Sequence, residues 1–130
     1  MNHLIISREY PPSAYPAGGI ATYVEHISRL LAEQGETVHV IGEQWDGASE
    51  PRQTRCGGRL VIHRVPLVRP LGLPAIDAAP VTAVRTLEAM AASEFPAQGF
   101  SWQAALLAES LVETAGIDVI EAQDYEAPLY

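Results

Sequence analysis

A chain of 130 residues, 48% apolar and 18% charged, has the length of one domain and enough apolar side chains to bury a real core, which excludes intrinsic disorder. Its net charge of −8 comes from 16 acidic residues against eight basic ones, all of them arginine. Nucleic acid is therefore excluded as a partner, and the absence of lysine removes a Walker-type phosphate lysine and Schiff-base chemistry. Cys56 stands alone, so no intrachain disulfide can form, and the opening MNHLIISREYPP is too short an apolar run for a signal peptide or a membrane span. These features lead to the expectation of a cytoplasmic protein without a transmembrane segment.

Leu4, Ile5 and Ile6 form a compact apolar run, as in a parallel strand covered on both faces, and predict a first strand over His3–Ser7. Pro11, Pro12 and Pro16 then exclude helix or central strand up to Ala17, making a loop that ends in Gly18 and Gly19. From Ile20 the apolar residues Ile20, Val24, Ile27, Leu30 and Leu31 recur at helical spacing, with Glu25, Ser28, Arg29 and Glu33 on the polar side. Gly35 sits where a left-handed C-terminal cap is needed, and Val38–Gly42 resumes a strand. Strand, glycine loop, helix and strand make one βαβ unit with a right-handed crossover and parallel strands.

Gln44–Gly58 is polar and turn-rich and is expected to be a long loop, with Gly57-Gly58 an ordinary turn, before a third strand over Leu60–Val65. Pro66–Pro80 predicts an irregular connection and Val81–Ala92 a helix that Phe95–Gly99 breaks. Ser101 is placed to cap a helix over Trp102–Ala115, which Gly116 ends before a strand at Asp118–Glu121. The chain is therefore expected to be α/β, with a mainly parallel sheet in the spatial order third, second, first, fourth strand.

Two segments carry candidate chemistry. Gly18 and Gly19 lie between a strand and a helix N-terminus, where unbonded amides and the helix dipole favour an anion, although paired glycines also mark plain turns. Glu121, Gln123 and Asp124 lie at the carboxyl end of the last strand, the edge where open parallel sheets bind ligands, although a solvated strand end would look the same. A nicotinamide or flavin enzyme is disfavoured, because APAGGIATY lacks G-x-G-x-x-G and only Glu43, more often a solvated strand end, stands where a ribose-binding acid would be. His3, His26, His39 and His63 lie on separate elements without metal-ligand spacing, so no metal is expected and each is a surface or packing histidine.

Together these segments resemble family 4 glycosyltransferases. SREYPPSAYPAGGIATYVEHISRLLAEQGETVHVIGE is similar to their opening pattern of short strand, Pro-rich loop, G-G-[IV]-x-x-[YH], long helix and G-x-x-V-x-V, and DVIEAQDY is similar to a later strand of the same domain. The resemblance implies a Rossmann-like, three-layer domain, the N-terminal, acceptor-side half of a GT-B enzyme. Residues 1–130 would then be a truncated domain, with the donor-binding C-terminal domain absent and the fragment inactive alone. It further implies sugar transfer from a nucleotide-sugar co-substrate to an acceptor hydroxyl with retention, no other cofactor, Gly18 and Gly19 near the donor diphosphate, and Glu121, Gln123 and Asp124 as acceptor or sugar contacts. It is compatible with peripheral membrane contact. Many members carry histidine where this chain has Gln123, which can neither act as a base nor carry positive charge, so no catalytic residue is assigned. The competing reading is a non-catalytic Rossmann-like module for a small anion or a protein partner. A GT-B epimerase would keep the glycine loop but need carboxylates and histidines that this pattern lacks.

Overall fold

A computed structural model of the chain describes residues 1–12, 18–45, 50–66 and 97–123. The elements run β1 (Asn2–Ile6), α1 (Gly19–Glu33), β2 (Thr37–Gln44), β3 (Arg52–Arg55), β4 (Leu60–Pro66), α2 (Ala97–Ala115) and β5 (Val119–Ala122). They form one five-stranded sheet in the order β3-β4-β2-β1-β5, parallel except for β3, which pairs antiparallel with β4. The four parallel strands take the order expected from the sequence.

Alternation along the strands sorts the core onto two faces. Leu4, Ile6, Ile41 and Val65 pack with Phe100, Ala104, Ala108 and Leu111 of α2. Ile5, Val38, Val40, Leu60 and Ile62 point the other way and pack with Val24 and Ala32 of α1 and with Tyr10. Each fully buried Ile, Leu or Val contributes about 1.5–3 kcal/mol, so a run such as Leu4-Ile5-Ile6 stabilises both layers at once. Gly35 (φ 97°) and Gly116 (φ 62°) end their helices in the left-handed region, where a side chain would be strained.

The structure corrects four expectations. The Gln44–Gly58 stretch is not only loop: Arg52–Arg55 adds β3 as an edge strand, and its exposed, arginine-rich sequence hides a strand that the β4 ladder imposes. The buried stripe of α1 is Ala21, Val24, Ser28 and Ala32, whereas Leu30 is 47% exposed. Small side chains let the helix approach the sheet, and Ser28 satisfies its hydroxyl by donating to the Glu25 carbonyl (3.1 Å), so Ile20, Ile27 and Leu31 flank the contact instead of centring it. Helix α2 starts at Ala97, so the end of the stretch expected to separate two helices, Ala97 to Gly99, is itself helical, and Ser101, 3% exposed, lies inside α2 and is not its cap. Burial of Phe100 (1% exposed) and the bonds donated by Gln103 Nε2 to the Gly99 and Pro66 carbonyls outweigh the poor helix propensity of glycine. Lastly, His39 and His63 are not independent packing residues: His39 Nδ1 and His63 Nε2 are 3.1 Å apart and share one hydrogen bond. Their ring centroids, 5.4 Å apart and nearly coplanar at 12°, are separated by about two ring radii more than the nitrogens, so the rings meet edge to edge. Pro66–Pro80 beyond its first residue and Val81–Ala92 lie outside the described residues. None of the described helices is long and apolar enough to cross a membrane.

Two predictions follow from this packing. Val24→Asp, at a position with no exposed surface, is expected to cost on the order of 3–5 kcal/mol by burying an unpaired charge, read as a fall in the urea midpoint; an unchanged midpoint would mean that α1 does not face the sheet through Val24. The histidine pair predicts an acid-sensitive fold. Burial, aided by His39 and Arg52, lowers the His63 pKa to about 4, and burial lowers that of His39, so both rings are favoured neutral in the folded chain. The unfolded chain then takes up protons first, and stability is complete above about pH 6.5 and is lost as the pH falls from there toward 4. Chemical denaturation at stepped pH checks this, and His63→Gln should flatten the profile.

Candidate functional site

The carboxyl ends of the four parallel strands β1, β2, β4 and β5 and the start of α1 lie at one edge of the sheet. On the α1 face, β2 presents Gly42 and β4 presents Arg64, which are register partners. Glycine is needed at 42 because a Cβ there would stand 3.0 Å from Tyr10 Cβ and 3.5 Å from the Ser7 carbonyl. The space left by that missing side chain admits Tyr10, which is fully buried.

Arg64 is the organising side chain. It is 4% exposed, and its Nη1 donates to the carbonyls of Tyr10 (3.0 Å), Pro12 (3.2 Å) and Glu43 (3.1 Å), while Nη2 donates to that of Pro11 (2.6 Å). Its guanidinium also lies 5.7 Å from the centre of the Tyr10 ring. Burial lowers the Arg64 pKa, Tyr10 opposes that shift and Arg55 adds to it. Proline has no amide hydrogen, so Pro11 and Pro12, joined by a cis bond, have only their carbonyls to satisfy, and both carbonyls go to Arg64.

Glu43 also departs from the sequence reading. It is 2% exposed, not a solvated strand end, and its Oε2 accepts from Arg8 Nε at 2.6 Å. The Arg8 guanidinium lies 5.6 Å from the Trp45 ring centre, and the Glu43 amide donates to the Arg8 carbonyl, so the first residues after β1 are tied to the end of β2. Beside this network the Tyr10 hydroxyl is buried next to the Ser28 side chain, and Ser7 Oγ is buried without a hydrogen-bond partner among the described residues. Such an unpaired group costs about 1–3 kcal/mol. Burial raises the Tyr10 pKa, keeping it neutral.

Gly18 and Gly19 are exposed and begin α1. Gly18 adopts φ −83° and ψ −175°, extended backbone open to any residue, and Gly19 also lacks a positive φ, so neither glycine is there for its conformational range. A Cβ on either would meet nothing within 4 Å. The first intrahelical bond runs from the Thr22 amide to the Gly18 carbonyl, leaving the amides of Gly19, Ile20 and Ala21 ahead of it with no side chain on Gly18 to cap them. One turn on, Tyr23 OH donates to Glu121 Oε1 (3.2 Å), which also accepts from Gln123 Nε2 (3.0 Å). The Glu121 charge raises the Tyr23 pKa. The structure thus brings Glu121 and Gln123 together and joins them to the first turns of α1, while Asp124 lies outside the described residues.

Comparisons with family models, curated proteins and solved structures each found no match to this chain. Among the described residues no group of three or more His, Cys, Asp or Glu side chains is placed to hold a metal ion. Sequence reasoning missed Tyr23, Arg8 and Arg64. Only Arg64 had left a clear signal, as a charge inside the apolar run LVIHRV of an internal strand, where charges stay only when paired or hydrogen-bonded.

Gly42→Ala is expected to cost about 1–3 kcal/mol by forcing Tyr10 out of contact with β2, seen as a lower urea midpoint and increased quenching of Trp45 fluorescence. A variant as stable as the parent would mean that Tyr10 does not need the space.

Proposed function

We propose that the chain is the acceptor-side, Rossmann-like domain of a GT-B glycosyltransferase that transfers a sugar from a nucleotide-sugar to an acceptor hydroxyl with retention. The observation that carries this reading is the start of α1: first-turn amides to which Gly18 offers no side-chain cap, at glycines where an added Cβ would meet nothing within 4 Å, on the edge where Glu121 and Gln123 also lie. Charge-assisted bonds from such amides suit a diphosphate, and the helix dipole adds to them. The Glu121 carboxylate and the Gln123 amide offer acceptors and donors to sugar hydroxyls, with Tyr23 holding Glu121 in place. Stabilising the departing nucleoside diphosphate is the part of the reaction these amides would serve, with donor selection falling to a second domain.

The direct test is release of nucleoside diphosphate from a panel of nucleotide-sugars by the natural protein. Turnover with one donor supports transfer, whereas binding of an anion without turnover across donors and acceptors supports the non-catalytic module. Gly19→Val separates the phosphate loop from a plain turn, because a side chain there meets no protein atom and the fold is expected to survive. Loss of one or two charge-assisted amide contacts predicts a fall in kcat/KM of roughly ten- to several-hundred-fold. Unchanged transfer by a folded variant would remove Gly18 and Gly19 from the site.

A further inference from the structure

We propose that Ser7 is a ligand contact of this edge, the innermost member of a subsite that it forms with Glu121 and Gln123 and that takes a neutral sugar or polyol through adjacent hydroxyls. The inference rests on the sugar-contact reading of Glu121 and Gln123 given above and adds to it a residue and a ligand class. Strand register brings the three together. Ile5 stands opposite Glu121 and Ile6 opposite Ala122, and the Gln123 amide donates to the Ile6 carbonyl (3.4 Å), so Ser7 falls in the row of Gln123. Side chains alternate along a strand, so Ser7 lies on the face of Ile5, the α1 face, and Glu121 and Gln123 lie on that face too. Tyr23 of α1 donates to Glu121 there (3.2 Å) and fixes one wall of the subsite.

Ser7 is bonded through its backbone and idle through its side chain. Its amide donates to the Ile41 carbonyl (2.9 Å) and its carbonyl accepts from the Tyr10 amide (3.4 Å), whereas Oγ, on a residue only 2% exposed, has no hydrogen-bond partner among the described residues. Alanine would fill the same place without an unpaired group, so the hydroxyl destabilises the free chain, and a bound hydroxyl would remove that cost. The neighbouring groups are also half used. Glu121 Oε1 accepts from Tyr23 and Gln123, while Glu121 Oε2 and Gln123 Oε1 accept nothing from the described residues. Two open acceptors beside one group that both donates and accepts match two adjacent hydroxyls, each of which also does both. The Glu121 carboxylate would repel a phosphate or a second carboxylate at this point, which leaves a neutral ligand.

Saturation-transfer NMR on the natural protein, with the methyl glycosides of glucose, mannose and galactose as probes, tests the subsite, with thermal melting measured in parallel. Ser7→Ala is expected to melt above the parent, because the unpaired hydroxyl is gone, and to bind the glycoside that the parent binds about tenfold more weakly. A Ser7→Ala protein that melts lower, fails to fold or keeps the parental affinity would overturn the proposal, and so would a parent that binds none of the three glycosides. Glycoside binding that Ser7→Ala weakens, in a protein that releases no nucleoside diphosphate from nucleotide-sugars, would remove the transfer reaction and leave the subsite standing as that of a binding module.

Discussion

A buried guanidinium bonded to four backbone carbonyls sets the shape of the carboxyl edge of this sheet. Without Arg64, the carbonyls of Tyr10, Pro11 and Pro12 would need water, and a hydrated segment could not lie against β2 and β4. The arrangement also explains the neighbouring residues. Gly42 must lack a side chain so that Tyr10 can lie beneath the segment, and Tyr10 in turn offers its ring to the guanidinium. Glu43 contributes its carbonyl to Arg64 and its carboxylate to Arg8.

The two charged contacts at this edge work differently. Arg8 and Glu43 form a partly buried ion pair that ties the residues after β1 to the end of β2. Arg64 has no such counter-charge among the described residues, and its cost of burial is offset by carbonyl dipoles, two of them from prolines. On the opposite side of the edge Glu121 is negative, held by Tyr23 and Gln123. The edge thus carries the Arg64 guanidinium at β4 and the Glu121 carboxylate at β5.

The histidine pair lies away from this edge, on the α2-facing side of the sheet, and bonds β2 to β4 through one shared proton. It serves the sheet and not the site. Its in-line geometry needs an unprotonated acceptor nitrogen on one ring, and burial, which lowers the His63 pKa to about 4, keeps that nitrogen free of a proton well below the ordinary histidine range.

Much of the layout was legible in the sequence because it depends on local chemistry. Apolar runs such as Leu4-Ile5-Ile6 can only be doubly covered strands, prolines exclude regular structure after β1, and Gly35 and Gly116 mark helix ends that require positive φ. The position of Gly18-Gly19 at the start of α1 followed from the same reasoning. What only the tertiary structure decided were contacts between distant residues. Whether Ser28 or Leu30 faces the sheet depends on how closely the helix packs, since a serine that bonds its own helix leaves a smaller side chain in the contact than leucine does. Strand β3 exists because β4 offers it a ladder, not because RQTR favours extension. The pairings of His39 with His63, Arg8 with Glu43 and Tyr23 with Glu121 span 24, 35 and 98 residues, distances over which no periodicity carries information. Composition and local pattern set the layers, and the parallel register then chose which side chains would meet at their edge.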